Sequence, residues 1–364
     1  MQKNTDLFGS SKILESLGFT VSNAFPSFDD ENSTKIKEIL IFSNSGKFLS
    51  IKPENCEISK RGEITLPNIS SIEQIDNKNF SIIAEETEVN IVTSEDSEFK
   101  IEKIPITNTK SVHLTKENQV MLINNELSTK IYKSQTDIIN VLDKQPESEY
   151  ISSFFIDETL YIFSDKIFSG KVQEKSTITT YTPQNYTASK VIHYKNDSFL
   201  VISKDKKKVL LLSTKDSEMI VTEELQSTTD IFDILIFDTD KICCISEHNI
   251  ILHKIGESKS FRNTINPKYT INCSNYLPNM NLLIFGTKEG SIIIVKSIYQ
   301  EDNTFSDSEI SYLYNFHECP VANVFPLPND RILSIGQNGS LVLWENVVPW
   351  WNVPNTVSIL LNSN

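Results

Sequence analysis

The chain has 364 residues, of which 39% are hydrophobic and 23% charged, and its formal net charge is −14. This composition is typical of a soluble globular protein, and a chain of this length can bury a large core. It has only three arginines, Arg61, Arg262 and Arg331, whereas a nucleic-acid-binding protein normally needs a dense basic surface. No apolar run approaches the roughly eighteen residues of a membrane-spanning helix, so no span is expected.

The start of the chain and its cysteines favour an intracellular protein, in the cytoplasm or the nucleus. The first residues lack the basic end and the apolar stretch of a secretion signal. The five cysteines have no close pairing spacing and predict unpaired thiols in a reducing compartment. They are Cys56, Cys243, Cys244, Cys273 and Cys319.

In chain order, the first predicted element is a short helix in the segment SSKILESLG. Ser10 or Ser11 could cap its start, and Gly18 could end it. The predicted organisation is therefore an N-terminal extension over residues 1–18 and a single domain over 19–364. Within that domain, residues 19–25 are expected to form the first strand.

A β-hairpin pattern, two apolar runs around a polar turn, then recurs eight times along the chain. Successive turns lie 39 to 42 residues apart, except for a last step of 49. A period near forty built from short β runs is typical of a propeller blade. The eight hairpins cover residues 39–51, 79–93, 119–133, 159–172, 198–213, 241–255, 281–296 and 331–345.

Each period has room for four strands, with the hairpin as the middle two. An inner strand precedes the hairpin, as in 189–195, 230–237 and 321–328, and a polar outer strand follows it, as in 99–106 and 218–225. The last outer strand is expected at 356–361. The predicted fold is all-β, a single closed β-propeller of four-stranded blades, with eight blades favoured and seven as the alternative.

Residues 317–345 resemble a WD40 repeat, which runs from a histidine through a strand and a turn to a tryptophan. His317, Ser334 and Trp344 match three members of that family's structural hydrogen-bond tetrad, and Asn338 stands where the family has an aspartate. The preceding unit, 269–297, keeps the strand pattern without the tryptophan. The resemblance implies a WD40-like propeller, in which these four residues stabilise a blade.

No catalytic site, metal site or cofactor is predicted. His317 and Cys319 lie two residues apart, but zinc needs three or four convergent ligands. No serine or cysteine nucleophile has an identifiable base and orienting acid nearby. GTKEG at 286–290 is interpreted as a turn because no helix follows it. KDKKK at 204–208 is either a solvated hairpin tip or a contact for an acidic partner or phosphate.

Two segments exceed the periodic pattern and form the predicted partner-binding surface. The insertion 298–314 carries the carboxylates Glu301, Asp302, Asp307 and Glu309 and no basic residue. Trp350 and Trp351 lie between two prolines, which prevent a continuing strand. At least one indole is therefore expected to be exposed and to anchor a partner. The alternative is that both rings help to close the propeller.

The leading functional prediction is a non-catalytic scaffold, a propeller subunit that binds other proteins, some with basic surfaces, in an intracellular complex. One alternative is a subunit that assists RNA or phosphoinositide binding, against which the scarcity of arginine counts. The other is a propeller enzyme, which would need acidic or histidine residues from several blades at one place. Nucleic acid and small-molecule substrates are not expected.

Overall fold

A computed structural model gives the structure of the chain. It describes residues 10–13, 17–28, 36–54, 57–66, 69–84, 88–95, 98–132, 138–143, 149–172, 178–215, 218–237, 239–277, 281–296, 309–312, 316–329 and 331–345.

Every regular element in these residues is a β-strand, and the 32 strands form eight four-stranded antiparallel sheets. The sheets follow one another along the chain at the predicted period, and each is one blade of a β-propeller. The predicted all-β fold and its eight blades are confirmed, and the seven-bladed alternative is wrong. Each predicted hairpin forms the middle two strands of its blade.

The first four blades lie between Asn23 and Tyr181. Blade 1 is β2 (Asn23–Phe28), β3 (Ile36–Phe42), β4 (Lys47–Lys52) and β5 (Glu57–Glu63); blade 2 is β6 (Ser71–Gln74), β7 (Asn79–Ala84), β8 (Glu88–Ser94) and β9 (Phe99–Ile104); blade 3 is β10 (Thr109–Leu114), β11 (Val120–Asn124), β12 (Thr129–Tyr132) and β13 (Ile138–Leu142); blade 4 is β14 (Ser152–Ile156), β15 (Thr159–Phe163), β16 (Ile167–Lys171) and β17 (Thr179–Tyr181).

The last four blades follow in the same order, except that the eighth takes its outer strand from the start of the chain. Blade 5 is β18 (Lys190–Lys195), β19 (Ser198–Ile202), β20 (Lys208–Lys215) and β21 (Glu218–Gln226); blade 6 is β22 (Asp233–Phe237), β23 (Lys241–Ile245), β24 (Asn249–Lys254) and β25 (Ser260–Thr264); blade 7 is β26 (Ile271–Leu277), β27 (Leu282–Thr287), β28 (Ile292–Lys296) and β29 (Glu309–Tyr312); blade 8 is β30 (Val321–Leu327), β31 (Arg331–Gly336), β32 (Leu341–Glu345) and β1 (Ser10–Ile13).

Burial differs between the middle and the outer strands, as their sequences predict. All six residues of β27 are buried, because a neighbouring sheet packs against each face of a middle strand. By contrast, four consecutive residues of the outer strand β9 are exposed. The almost continuous apolar runs thus build the interfaces between blades, and the polar outer strands face solvent.

The chain divides into two compact units, one of residues 1–63 with 235–364 and one of residues 64–234. In the first unit, Ile41 and Leu49 of blade 1 belong to the same buried cluster as Leu333 and Leu343 of blade 8. The second unit has equivalent cores, such as the one that packs Phe163 of blade 4 with the side chains of blade 5. Within each of the two compact units, the buried core therefore lies at the interfaces between neighbouring sheets.

The helix predicted in SSKILESLG is wrong over Ser10–Ile13, which form the strand β1. This strand pairs antiparallel with β32, so that Ser10 lies opposite Glu345 and Ile13 opposite Val342. A helix of nine residues is marginal on its own in water. An unpaired strand edge, by contrast, offers a complete row of backbone partners, and β1 therefore completes blade 8.

The predicted first strand also needs correction. The inner strand of blade 1 begins at Asn23 rather than at residue 19, because backbone N–H groups at Leu17 and Val21 bond to the turn of blade 8. The predicted outer strand 356–361 lies outside the described residues, and β1 occupies the place beside β32. The proposed boundary between an extension and a propeller at residue 19 stays a prediction.

The first strand of each blade, here called its inner strand, lies beside the inner strand of the next blade within a unit. In the first unit, the side-chain amides of Asn272 and Asn275 on β26 donate to the carbonyls of Val321 and Val324 on β30, at 2.8 and 2.9 Å. Side chains on neighbouring inner strands therefore approach each other, and polar residues there can form sites shared by several blades.

Candidate functional site

His317, Ser334 and Trp344 of blade 8, which the sequence matches to the WD40 tetrad, form a buried hydrogen-bonded cluster. It is here called the His317 cluster. His317 Nε2 lies 2.8 Å from Ser334 Oγ, and the indole N–H of Trp344 donates to the same oxygen at 2.9 Å. His317 Nδ1 lies 2.6 Å from Ser340 Oγ. The strands β31 and β32 supply Ser334 and Trp344, and His317 precedes β30.

Both nitrogens of His317 have a hydroxyl partner, and the residue is only 2% exposed. Burial lowers the pKa of His317 to about 4, so the ring is neutral at pH 7. A neutral imidazole has one donor and one acceptor nitrogen. Both hydrogen bonds of His317 form when its Nδ1–H donates to Ser340 and its Nε2 accepts from Ser334.

Gly336 provides the space for this cluster. A Cβ at this position would lie 2.4 Å from Ser340 Oγ and 2.7 Å from His317 Nδ1. Both distances are shorter than real Cβ contacts, so any other residue would displace the histidine or its partner. Gly336 was not singled out in the sequence, although it directly precedes the predicted turn.

Asn338 is near the cluster, but its hydrogen bonds in the described part of the chain are not to His317. Its Oδ1 accepts a hydrogen bond from the backbone N–H of Ser340 at 3.0 Å. Ser340, which the sequence analysis did not select, takes the place beside His317 Nδ1. The turn residue thus shapes the loop that presents the serine. The stabilising role of the four predicted residues stays a prediction.

Two of the four described cysteines are poorly suited to metal binding or redox chemistry. Cys243, Cys244, Cys273 and Cys319 are all thiols rather than disulfides. Burial raises the pKa of Cys244 and of Cys273 to about 12, which keeps both protonated and unreactive. Among the described residues, no group of three or more His, Cys, Asp or Glu side chains could hold a metal ion.

A second polar cluster joins the inner strands of three consecutive blades in the second unit, and it is here called the inner-strand cluster. His113 Nε2 lies 2.7 Å from Ser153 Oγ and 3.5 Å from Ser111 Oγ. Ser111 in turn donates to Glu73 Oε2 at 3.4 Å. The Tyr150 hydroxyl lies 3.1 Å from Ser153 Oγ. Blades 2, 3 and 4 thus converge here.

The protein around the inner-strand cluster shifts the pKa of each titratable group in the direction of its neutral form. Burial raises the pKa of Glu73 to about 7, against the opposing effect of the Ser111 hydrogen bond. Burial lowers the pKa of His113 to about 4, although the residue as a whole is half-buried. Burial, followed by the nearby charge of Glu73, raises the pKa of Tyr150 to about 12. Perturbed titratable groups gathered in one place mark a candidate functional site.

The inner-strand cluster is not a nucleophilic triad. An orienting acid would have to bond Nδ1 of His113 while Nε2 receives the serine proton. Here both serines approach Nε2, and Glu73 reaches the histidine only through Ser111. With a pKa near 4, His113 is also a weak base at pH 7. The arrangement favours binding over covalent catalysis.

Sequence reasoning missed this cluster although the repeat contained a signal for it. Glu73, His113 and Ser153 are each forty residues apart, which is one blade period. Residues one period apart on inner strands occupy equivalent positions in neighbouring blades. A search along the period, rather than for a local motif, would have found them.

The basic turn at 204–208 is partly neutralised by its surroundings. The Lys207 ammonium lies 2.5 Å from Asp230, and that of Lys208 lies 2.9 Å from Glu224. Two of its four lysines are thus already in ion pairs, which weakens its interpretation as a phosphate site. The segment 286–290 contains the predicted turn between β27 and β28, at residues 288–290, and its first two residues end β27.

The predicted partner-binding surface lies almost entirely outside the described residues. This applies to Glu301, Asp302, Asp307, Trp350 and Trp351. Glu309 is the first residue of β29, and its backbone pairs with Lys296. The role of all six residues in partner binding stays a prediction.

Comparison with known proteins finds solved structures that are similar to this chain in fold alone. The computationally designed protein Ika8 matches with a TM-score of 0.64 at 10% sequence identity, over 92% of this chain and 98% of that one. The WD40 β-propeller domain of Doa1 matches with a TM-score of 0.47 at 12% identity, over 77% of this chain and 93% of that one. No protein-family model and no curated protein matches the sequence. The similarity is one of fold, and membership in the WD40 family stays a prediction.

Within the part of the chain that the structure describes, no helix is long and apolar enough to cross a membrane.

Proposed function

We propose that this chain is a non-catalytic propeller subunit that binds other proteins in a multiprotein complex. The propeller fold is commonly a protein-interaction scaffold, but fold alone does not establish function. The observation that carries the proposal is the use of the polar groups in the His317 cluster. Both nitrogens of the buried His317 are hydrogen-bonded to serines of its own blade, so neither nitrogen is free to act on a substrate.

The charge of the chain supports a class of partner. A net charge of −14 produces a field that attracts basic surfaces and speeds their association. Partners with basic surfaces are therefore favoured over nucleic acids, whose phosphates the same field repels.

The native size of the chain tests this proposal. Size-exclusion chromatography of a gentle extract of the native cells, followed by immunodetection, is expected to place the chain well above its monomer mass of 41.4 kDa. The purified recombinant chain should run as a monomer in the same buffer. A native chain that also runs as a monomer contradicts the proposed function.

Trp350 and Trp351 remain the proposed anchors for a partner, with Glu301, Asp302, Asp307 and Glu309 attracting its basic residues. Trp350→Ala and Trp351→Ala should then reduce co-purification of the partners, since a buried anchor contributes about 2 kcal/mol or more. Melting should shift by only a few degrees. Unfolding of both variants, or undiminished co-purification, would contradict the anchor role and favour ring closure.

A further inference from the structure

In the described part of the chain, the carboxyl group of Glu73 in the inner-strand cluster has few hydrogen-bond partners. Its one hydrogen bond is the one from Ser111, at 3.4 Å to Oε2, and no ion pair to Glu73 occurs among the described residues. A largely buried carboxylate is ordinarily paired with a cation or held by several donors. The described part of the chain provides neither.

Ser81, on the same face of blade 2, also lacks a hydrogen-bond partner for its side chain among the described residues. It lies directly opposite Glu73 in the pairing of β6 with β7, and residues in such a cross-strand pair point to the same face. Ser81 is 0% exposed, and its Oγ has no hydrogen-bond partner. Two neighbouring polar groups of this face thus have hydrogen-bonding capacity that the described residues leave unused.

The rest of the inner-strand cluster can accept hydrogen bonds but carries no positive charge. Ser111, Ser153 and the Tyr150 phenol are neutral, and the lowered pKa of His113 keeps it neutral at pH 7. His113 Nδ1 has no hydrogen-bond partner in the described part of the chain, because both of its bonds are made by Nε2. A carboxyl surrounded by acceptors and an aromatic ring is complementary to a planar cation with several N–H donors.

We propose that the inner-strand cluster binds the guanidinium of an arginine side chain from a protein partner, with Glu73 as its counter-ion. Two parallel N–H groups bond the Glu73 carboxylate, and the hydroxyl oxygens of the cluster accept the others. This inference rests on the proposed function, because it takes the cation to belong to a bound protein.

Binding is coupled to proton release. Because burial raises the pKa of Glu73 to about 7, the site holds a proton that the arriving cation displaces. The titratable groups that reach Glu73 are His113, through Ser111 on β10, and Tyr150, before β14. Neither titrates between pH 6 and 8, and β7 presents only Ser81 opposite Glu73. The pH dependence in that range is therefore due to Glu73.

Calorimetric titration of the full chain with acetyl-Gly-Arg-Gly-amide tests the site, at about 0.15 M salt to screen the acidic surface. The binding constant is expected to rise about tenfold between pH 6 and pH 8, because the ionised fraction of Glu73 rises by about that factor. At pH 7 about half a proton should be released per peptide, as measured from buffers of different ionisation enthalpy. The same peptide with neutral citrulline in place of arginine should not bind.

Two variants locate the binding. Glu73→Gln keeps the shape of the side chain and removes its charge, so it should weaken arginine-peptide binding at least tenfold and abolish proton release. Glu102→Gln is the matched control, since it removes an exposed carboxylate from β9 of the same blade and should leave binding unchanged. Absence of binding to the native chain, or equal binding by Glu73→Gln, overturns the proposal.

The inference and the proposed function fail in different ways. If the native chain runs in a large assembly but does not bind the peptide, the cation site is wrong and the scaffold function stands. If the chain runs as a monomer but binds the peptide through Glu73, the scaffold function is wrong and the cation site stands.

Discussion

The His317 cluster and the inner-strand cluster contain histidines with the same lowered pKa, about 4, but their surroundings differ. His317 is 2% exposed and both of its nitrogens have partners in the chain. His113 is partly exposed, uses one nitrogen, and is linked to a carboxyl without a cation. A lowered histidine pKa thus indicates only that the ring is buried. Polar atoms that lack partners among the described residues are what distinguish a binding site from a structural cluster.

The largest expected difference between the clusters is in folding stability. His317→Ala should lower the free energy of unfolding by about 1–3 kcal/mol, because it leaves buried hydroxyls without a partner. His113→Ala should cost less than about 1 kcal/mol, since Ser153 keeps Tyr150 as a partner. Urea unfolding of both variants measures the difference. Equal losses would mean that both clusters are structural.

A smaller effect distinguishes the two neighbours of His317. Ser340→Ala removes the hydroxyl beside Nδ1 and should cost about 1–2 kcal/mol, because that nitrogen is then buried without a partner. Asn338→Ala removes only the bond to a backbone N–H in an exposed turn and should cost about 0.5 kcal/mol. Thermal unfolding of both variants, with the native chain as reference, compares them. A larger loss of stability for Asn338→Ala than for Ser340→Ala would favour Asn338, rather than Ser340, as the fourth member of the tetrad.

The sequence predicted the blade repeat well and the polar clusters only in part, for a physical reason. Alternating apolar runs and turns are local patterns, so the eight hairpins could be located from spacing alone. The pairing of β1 with β32 joins residues more than three hundred positions apart, and no local pattern encodes it. In blade 8, the family resemblance supplied His317 and Trp344. The partner Ser340 depends on the path of the turn, which a motif does not specify.

The last expected effect has the opposite sign, a gain in stability when Glu73 is replaced. Its pKa rises from 4.5 to about 7 on folding, so the folded chain binds more protons than the unfolded chain between these values, and stability falls as pH rises through that range. Glu73→Gln removes this loss, about 3 kcal/mol at pH 8, and should raise the melting temperature at pH 8 by roughly 4 °C. Melting curves at pH 5 and pH 8 measure it, and at pH 5 the difference should shrink. A lower melting temperature at pH 8 would show that ionised Glu73 already has a partner within the chain.

The central claim is that the inner-strand cluster is open to a ligand and the His317 cluster is not. NMR of the chain with 13C-labelled histidine tests it most directly, because only five histidines occur and the variants His113→Gln and His317→Gln assign the two signals. On addition of acetyl-Gly-Arg-Gly-amide at pH 7.5, the ring signal of His113 is predicted to shift, and that of His317 to stay in place. An unmoved His113 signal, or equal shifts of both, would contradict the account.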